Sequence, residues 1–272
     1  MKRIAVLPTL LTLSNGVCGF AAIAYASKIG PHSTPEEVDY YFVLSACLIL
    51  SAMLFDVLDG YAARLSKSAS DFGGQLDSLC DAISFGAAPA FLLLRLGMDW
   101  REKLAGQTVA MIAALYMVCA VLRLARFNLE NSPDPAGHKR FKGLPSPAAA
   151  GCVVSLAILR STPWSVNHAE MMSTFVSVWA PLGTLFAALL MVSRVPYPHI
   201  TKQILRGRRS FSVLVQVVLV LFLVARMPSL ACFLIFWGYA LSGVLRYVLV
   251  RTVRNNHPLT DLDTGKEPIV HP

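Results

Sequence analysis

Eight long apolar stretches dominate this chain and restrict what it can fold into. They lie at about 9–28, 39–62, 77–97, 106–125, 145–162, 172–193, 211–227 and 229–250. A helix needs roughly 20 apolar residues to cross the hydrocarbon core of a bilayer. The runs take up most of the 272 residues, leaving short loops and a polar tail. Charged residues make up only 15% of the chain, against about 25% in an ordinary soluble domain. The sequence therefore predicts an all-α fold, a polytopic integral membrane helical bundle of about eight transmembrane helices.

Met1-Lys2-Arg3 and the apolar run ending Ala24-Tyr25-Ala26 have the outline of a secretory signal. Pro8, Asn15 and Gly16 interrupt that run and seven more follow, so it reads as a retained first helix. The six cysteines, Cys18, Cys47, Cys80, Cys119, Cys152 and Cys232, all fall inside apolar runs and form no CxxC pair. They read as small, reduced packing residues. The six histidines show no metal-ligand spacing.

The net charge of +8 is unevenly placed. With the N-terminus inside and eight helices threaded, 18 of the 24 Lys and Arg residues fall on the inner side. The positive-inside rule then puts both termini in the cytoplasm, in a bacterial-type inner or plasma membrane. The basic loops lie against anionic lipid headgroups. No basic face is left over for nucleic acid.

Four acids stand out. The second run ends Phe55-Asp56-Val57-Leu58-Asp59-Gly60-Tyr61-Ala62-Ala63-Arg64. At about 100° per residue, Asp56 and Asp59 are about 60° apart on the helix, and Gly60 and Ala63 share their stripe. The third run begins near Gly73, and Gly73, Asp77 and Asp81 follow at i, i+4 and i+8, with Ser84 and Ala88 continuing the line. The linker between the runs is short, so the helices are neighbours and the acidic stripes can face each other. An ionised group at membrane depth costs about 2.5–3.5 kcal/mol on insertion scales. Four acids on stripes that carry no base repel one another, and a divalent cation resolves this. Oxygen donors alone favour Mg²⁺ or Mn²⁺ over zinc. The alternative is that the acids sit in interfacial water or pair with Arg64 and Lys67. Carboxylate-held metals at a membrane surface commonly serve phosphates. The residues alone thus point to metal-dependent phosphoryl-type chemistry at the inner face. Transporter acids, the competing class, lie near the midplane on broken helices; Asp56 and Asp59 instead precede Arg64 by only a few residues.

The pattern Asp56-x2-Asp59-Gly60-x2-Ala63-Arg64-x8-Gly73-x3-Asp77-x3-Asp81 resembles the signature of the CDP-alcohol phosphotransferases, with all eight fixed positions filled. The segments Leu7–Gly16, Leu122–Asn128, Phe141–Pro147 and Met191–Tyr197 resemble the phosphatidylserine synthase branch of that family. Thr9 departs from the Asn usual after that proline. The resemblance implies transfer of a phosphatidyl group from CDP-diacylglycerol to L-serine, with release of CMP. It implies that Asp56, Asp59 and Asp77 hold metal, and that Asp81 is both a metal ligand and the general base. The nucleotide would lie against Asp56, Asp59, Gly60, Ala63, Arg64, Gly73 and Asp77. It also implies a homodimer, with a six-helix core at 1–198. Residues 199–254 then form a C-terminal helical pair, and 255–272 a disordered tail. Acceptor-binding candidates are Arg123, Arg126, Asn128 and Lys142, because a serine carboxylate suits an arginine fork. Basic residues at an inner helix end also serve topology and headgroups. Asn15 needs a partner in the membrane, and either faces the nucleotide or ties helices together. Glycerol 3-phosphate and inositol phosphate are the competing acceptors.

Overall fold

The computed structural model describes residues 6–66, 71–96, 106–130, 143–161, 169–195, 197 and 226–256. Among these residues every regular element is a helix. The order is α1 (Val6–Ala26), α2 (Pro35–Leu65), α3 (Asp71–Asp81), a π-helical stretch (Ala82–Ala87), α4 (Ala88–Leu96), α5 (Gly106–Glu130), α6 (Ser146–Arg160), α7 (Ala169–Val192) and α8 (Pro228–Asn256).

Among the described residues, five helical segments are long and apolar enough to cross a membrane: Val6–Ala26, Pro35–Leu65, Phe72–Leu96, Gln107–Leu129 and Pro228–Leu249. Ser146–Arg160 and Val178–Val192 are apolar but shorter. The protein is an integral membrane protein, all-helical among the described residues. Most of the expected span at 211–227 lies outside the described residues, as does the tail beyond Asn256.

Helix ends follow local chemistry rather than hydropathy. α2 begins four residues before its apolar run because Thr34 and Glu37 form a capping box. The Thr34 N–H donates to Glu37 Oε2 at 2.9 Å, and the Glu37 N–H donates to Thr34 Oγ1 at 3.3 Å. Pro35 at the first helical position is preset for the start.

The third span does not keep one period. After Asp81 the helix widens into the π stretch before regaining α geometry at Ala88. Pro89 gives the reason: it has no N–H for the carbonyl four residues earlier, that of Phe85. Tyr116 of α5 supplies the missing donor, its hydroxyl bonding Phe85 O at 3.1 Å. The uniform stripe expected to run on through Ser84 and Ala88 is therefore re-registered beyond Asp81, although both residues are buried.

The bundle core is built from Phe42, Phe85, Leu92, Leu93, Tyr116 and Leu156, all fully buried. Phe20 and Val57, by contrast, are 68% and 64% exposed, as suits side chains that face lipid. α1 packs chiefly on α2 and also against α3. α8 docks on α6, where Trp237 Nε1 donates to Cys152 O at 3.2 Å and the Phe236 ring occupies the space beside Gly151. The six cysteines are all free.

Candidate active site

The two acidic stripes do face each other. Asp56, Asp59 and Asp77 each bring a carboxylate oxygen within 4.8 Å of the others. Asp59 and Asp81 are buried, whereas Asp56 and Asp77 are half-buried. Asp77 Oδ1 is buried without a hydrogen-bond partner. Such an orphan carries a desolvation penalty unless something takes its lone pair. Three carboxylates, one of them with an unpartnered oxygen, fit an Mg²⁺- or Mn²⁺-like ion. Asp81 stands beside this group, one turn beyond Asp77.

The first helix reaches into the cluster. Thr12 Oγ1 donates to Asp59 Oδ2 at 2.7 Å. Asn15 Nδ2 donates to Asp81 Oδ1 at 2.9 Å. The Ser84 hydroxyl donates to the Asn15 carbonyl at 2.9 Å. Of the two readings open for Asn15, the structure shows the helix tie, with a site acid as its partner. This close approach requires glycine. A Cβ on Gly16 would stand 2.9 Å from Cys80 Sγ, and one on Gly19 would stand 2.6 Å from Ser84 Cα.

The stripes carry no base of their own, but α5 supplies one. Arg123 lies within electrostatic range of Asp56 and Asp81. Its Nη1 donates to Ser146 Oγ, buried at the start of α6, at 2.6 Å. Asn128, also on α5, donates to Ser78 Oγ at 2.8 Å, next to Asp77. Arg126 is half-buried on the same helix. Lys142 lies outside the described residues. Arg64 is exposed, and its Nη1 is the nearest group to the open space where a Gly60 Cβ would sit, at 3.9 Å. Ala63 and Gly73 are half-buried on the α2 and α3 sides.

The four segments that suggested a particular branch converge here. Leu7–Gly16 supplies Thr12 and Asn15, and Leu122–Asn128 supplies Arg123 and Asn128. Phe141–Pro147 supplies Ser146 and is tied to Met191–Tyr197 and the residue before it: Gly143 N donates to Val195 O at 2.8 Å, and Leu144 N donates to Leu190 O at 3.0 Å. Gly143 has φ of 95°, the left-handed region that glycine tolerates. Tyr197 in turn donates to Ala240 O of α8 at 2.9 Å. Burial raises the Tyr197 phenol above its usual range, so it keeps the proton it donates.

Sequence reasoning missed Thr12, Ser78, Ser146 and Tyr116. Thr12 had a signal, since it precedes Asn15 by three residues and shares its face of an apolar helix. The others are recognisable only once helices are packed.

Facing acidic stripes on two membrane helices, joined by an arginine from a third, define a membrane enzyme for phosphate-linked substrates. The profile of the CDP-alcohol phosphatidyltransferase family matches residues 5–190, and the chain belongs to that family. The CDP-diacylglycerol–serine O-phosphatidyltransferase of Helicobacter pylori (strain ATCC 700392 / 26695) is 31% identical over 255 residues, covering 92% of this chain and 95% of the relative. The enzyme of the same name from Bacillus subtilis (strain 168) is 32% identical over 198 residues, covering 72% of this chain and 92% of the relative. The archaetidylserine synthase of Methanothermobacter thermautotrophicus is 31% identical over 196 residues, covering 71% of this chain and 70% of the relative.

Proposed function

We propose that the chain is a phosphatidylserine synthase, transferring the phosphatidyl group of CDP-diacylglycerol to L-serine. The observation that carries this reading is the convergence of Asp56, Asp59, Asp77, Asp81 and Arg123 on one site. It is supported by relatives whose names specify serine or archaetidylserine chemistry and which align over most of the chain.

Asp56, Asp59 and Asp77 would hold a divalent ion, Mg²⁺ or Mn²⁺, with Asp81 as a further ligand. When bound, the ion supplies charge neutralisation for the diphosphate oxygens. Gly60, Ala63 and Gly73 leave room for the nucleotide against the helix backbones, beside Arg64. Asp81 takes the proton of the serine hydroxyl as its oxygen attacks the phosphorus that bears diacylglycerol. A new P–O bond forms to serine, the P–O bond to CMP breaks, and CMP leaves with that electron pair. Such a base must lie within hydrogen-bond reach of the hydroxyl. Arg123 has donors left beyond the one given to Ser146, and a guanidinium fork suits the serine carboxylate. Arg126, Asn128 and Lys142 belong to the same acceptor side in this reading.

The family match over 5–190 supports a catalytic core at 1–198, followed by a C-terminal helical pair at 199–254 and a tail at 255–272. Eight crossings, with both termini and the site at the cytoplasmic face, follow from the apolar runs and the inner excess of Lys and Arg. The homodimer implied by the family resemblance belongs to the same reading. The deciding experiment gives purified protein CDP-diacylglycerol, Mn²⁺ or Mg²⁺ and a panel of alcohols, with and without chelator. Metal-dependent CMP release with serine is the expected result. Release only with glycerol 3-phosphate or inositol phosphate would overturn the serine assignment.

A further inference from the structure

The four aspartates are not held alike, and the difference comes from α1. Its inward face carries Thr12, Asn15, Gly19, Ala22 and Ala26, all buried, and the first two are polar. Thr12 Oγ1 stands 2.7 Å from Asp59 Oδ2 and 3.0 Å from the carbonyl of Pro8 in its own helix. A hydroxyl has one proton, and the shorter approach to the carboxylate takes it. Asn15 is fully buried and fixed twice, through its amide to Asp81 Oδ1 and through its backbone carbonyl from Ser84. Its own Oδ1 is buried without a partner. A buried amide that leaves its acceptor unsatisfied while its donor grips a carboxylate is placed for that carboxylate.

We infer that Thr12 and Asn15 are positioning residues that commit one oxygen of each acid and thereby aim the other. Thr12 occupies Asp59 Oδ2, beside a further bond to this carboxylate from the Gly60 N–H, and leaves the remaining lone pairs for the metal shared with Asp56 and Asp77. Asn15 occupies Asp81 Oδ1 and leaves Oδ2 for the acceptor hydroxyl. A ligand carboxylate in a metal site is commonly oriented by such an outer partner. The tight seat of α1 on α3 at Gly16, and on the π stretch at Gly19, keeps the two donors in register with two different acids. α1 therefore separates metal holding from proton acceptance. This rests on the assignment of Asp81 as general base, and it narrows the metal set to Asp56, Asp59 and Asp77, with Asp81 serving as base rather than as a further ligand.

The test uses full-length enzyme in nanodiscs, with Mn²⁺ binding read by electron paramagnetic resonance and CMP release measured separately. Thr12→Val removes the hydroxyl while keeping the shape; it should weaken Mn²⁺ binding about 10–100-fold, with turnover recovering at saturating Mn²⁺. Thr12→Ser should restore binding. Asn15→Leu should lower kcat about 10–100-fold while shifting Mn²⁺ affinity by less than about twofold, and that retained binding also reports a folded site. If Asn15→Leu keeps its kcat while Asp81→Asn loses turnover, the positioning role of Asn15 is wrong. If Asp81→Asn itself keeps full turnover, the general-base reading falls and the role of Asn15 falls with it. If Thr12→Val binds Mn²⁺ normally, or both variants lose binding and kcat together, α1 does not divide the two jobs.

Discussion

Arg123 Nη1 donates to Ser146 Oγ at 2.6 Å, joining the C-terminal part of α5 to the first residue of α6. The bond fixes one edge of a guanidinium that also lies within electrostatic range of Asp56 and Asp81. A fixed guanidinium loses less rotamer freedom when it meets a carboxylate. Arg123→Lys should therefore raise the serine KM and lower kcat/KM about 10–100-fold, the equivalent of about 1.5–3 kcal/mol for a charged hydrogen bond. Ser146→Ala removes only the brace, so its effect should be smaller and mostly on serine KM. Steady-state kinetics at varied serine, with CDP-diacylglycerol saturating, separates the two.

The acidic triad predicts a graded metal response. Asp56→Asn, Asp59→Asn and Asp77→Asn each remove one charged oxygen donor from a set within 4.8 Å. Each should reduce CMP release on the order of 100-fold or more, since even outer partners of a metal site are worth about 10–100-fold. Asp77→Asn should be the hardest to rescue with added Mn²⁺, because Asp77 Oδ1 has no protein partner to share. Chelator should abolish parental turnover, and added Mn²⁺ or Mg²⁺ should restore it. Turnover that survives exhaustive chelation would refute the metal assignment.

Much of this site could be read before any helix was packed, for a specific reason. Asp56 with Asp59, and Asp77 with Asp81, are related within single helices, and helical spacing is fixed. Their meeting across α2 and α3 followed from a linker too short to separate the helices. Thr12 with Asp59 and Arg123 with Ser146 are different: they are 47 and 23 residues apart, and only the bundle brings them together. Beyond Asp81 the helical period changes at the π stretch, which constant spacing through Pro89 does not reveal, although Ser84 still meets Asn15 as Asp81 does. A proline inside an apolar run signals a freed carbonyl, but not which partner will take it. Arg123 and Asn128 were visible as candidates, whereas their partners Ser146 and Ser78 are ordinary small polar residues until the contacts are seen.

Gly143 links the last two of the converging segments. Its φ of 95° suits glycine, and a Cβ there would stand 3.1 Å from Ser193 O and closer still to Met191 O. Gly143→Ala should therefore strain the backbone and loosen the bonds to Val195 and Leu190. A cost of about 1–3 kcal/mol is expected, as for other residues forced into sparsely populated conformations. Thermal unfolding in detergent should show the loss. Serine KM should rise more than CDP-diacylglycerol KM, because Ser146 and Arg123 follow this turn while the acidic triad is anchored elsewhere.

Tyr116 and Pro89 make a coupled pair through a residue that neither replaces. Pro89 deprives the Phe85 carbonyl of its helical donor, and the Tyr116 hydroxyl fills the gap at 3.1 Å. Tyr116→Phe keeps the ring in the core but leaves that carbonyl unpaired in a fully buried position. Measured interhelical bonds in membranes average about 0.6 kcal/mol and reach about 1.7, and a loss near the upper end is expected here because no water can substitute. Pro89→Ala restores an N–H that can reach Phe85 and lets the π stretch relax toward α geometry. In the Pro89→Ala background, Tyr116→Phe should then cost little, so the double-mutant cycle should show a coupling of the same size as the single loss. The relaxed helix would also turn Ser84 relative to Asp81, and with it the bond from Ser84 to the Asn15 carbonyl. Pro89→Ala should therefore lower turnover while leaving stability close to parental. Equal losses for Tyr116→Phe in both backgrounds would mean that the π stretch does not depend on the proline.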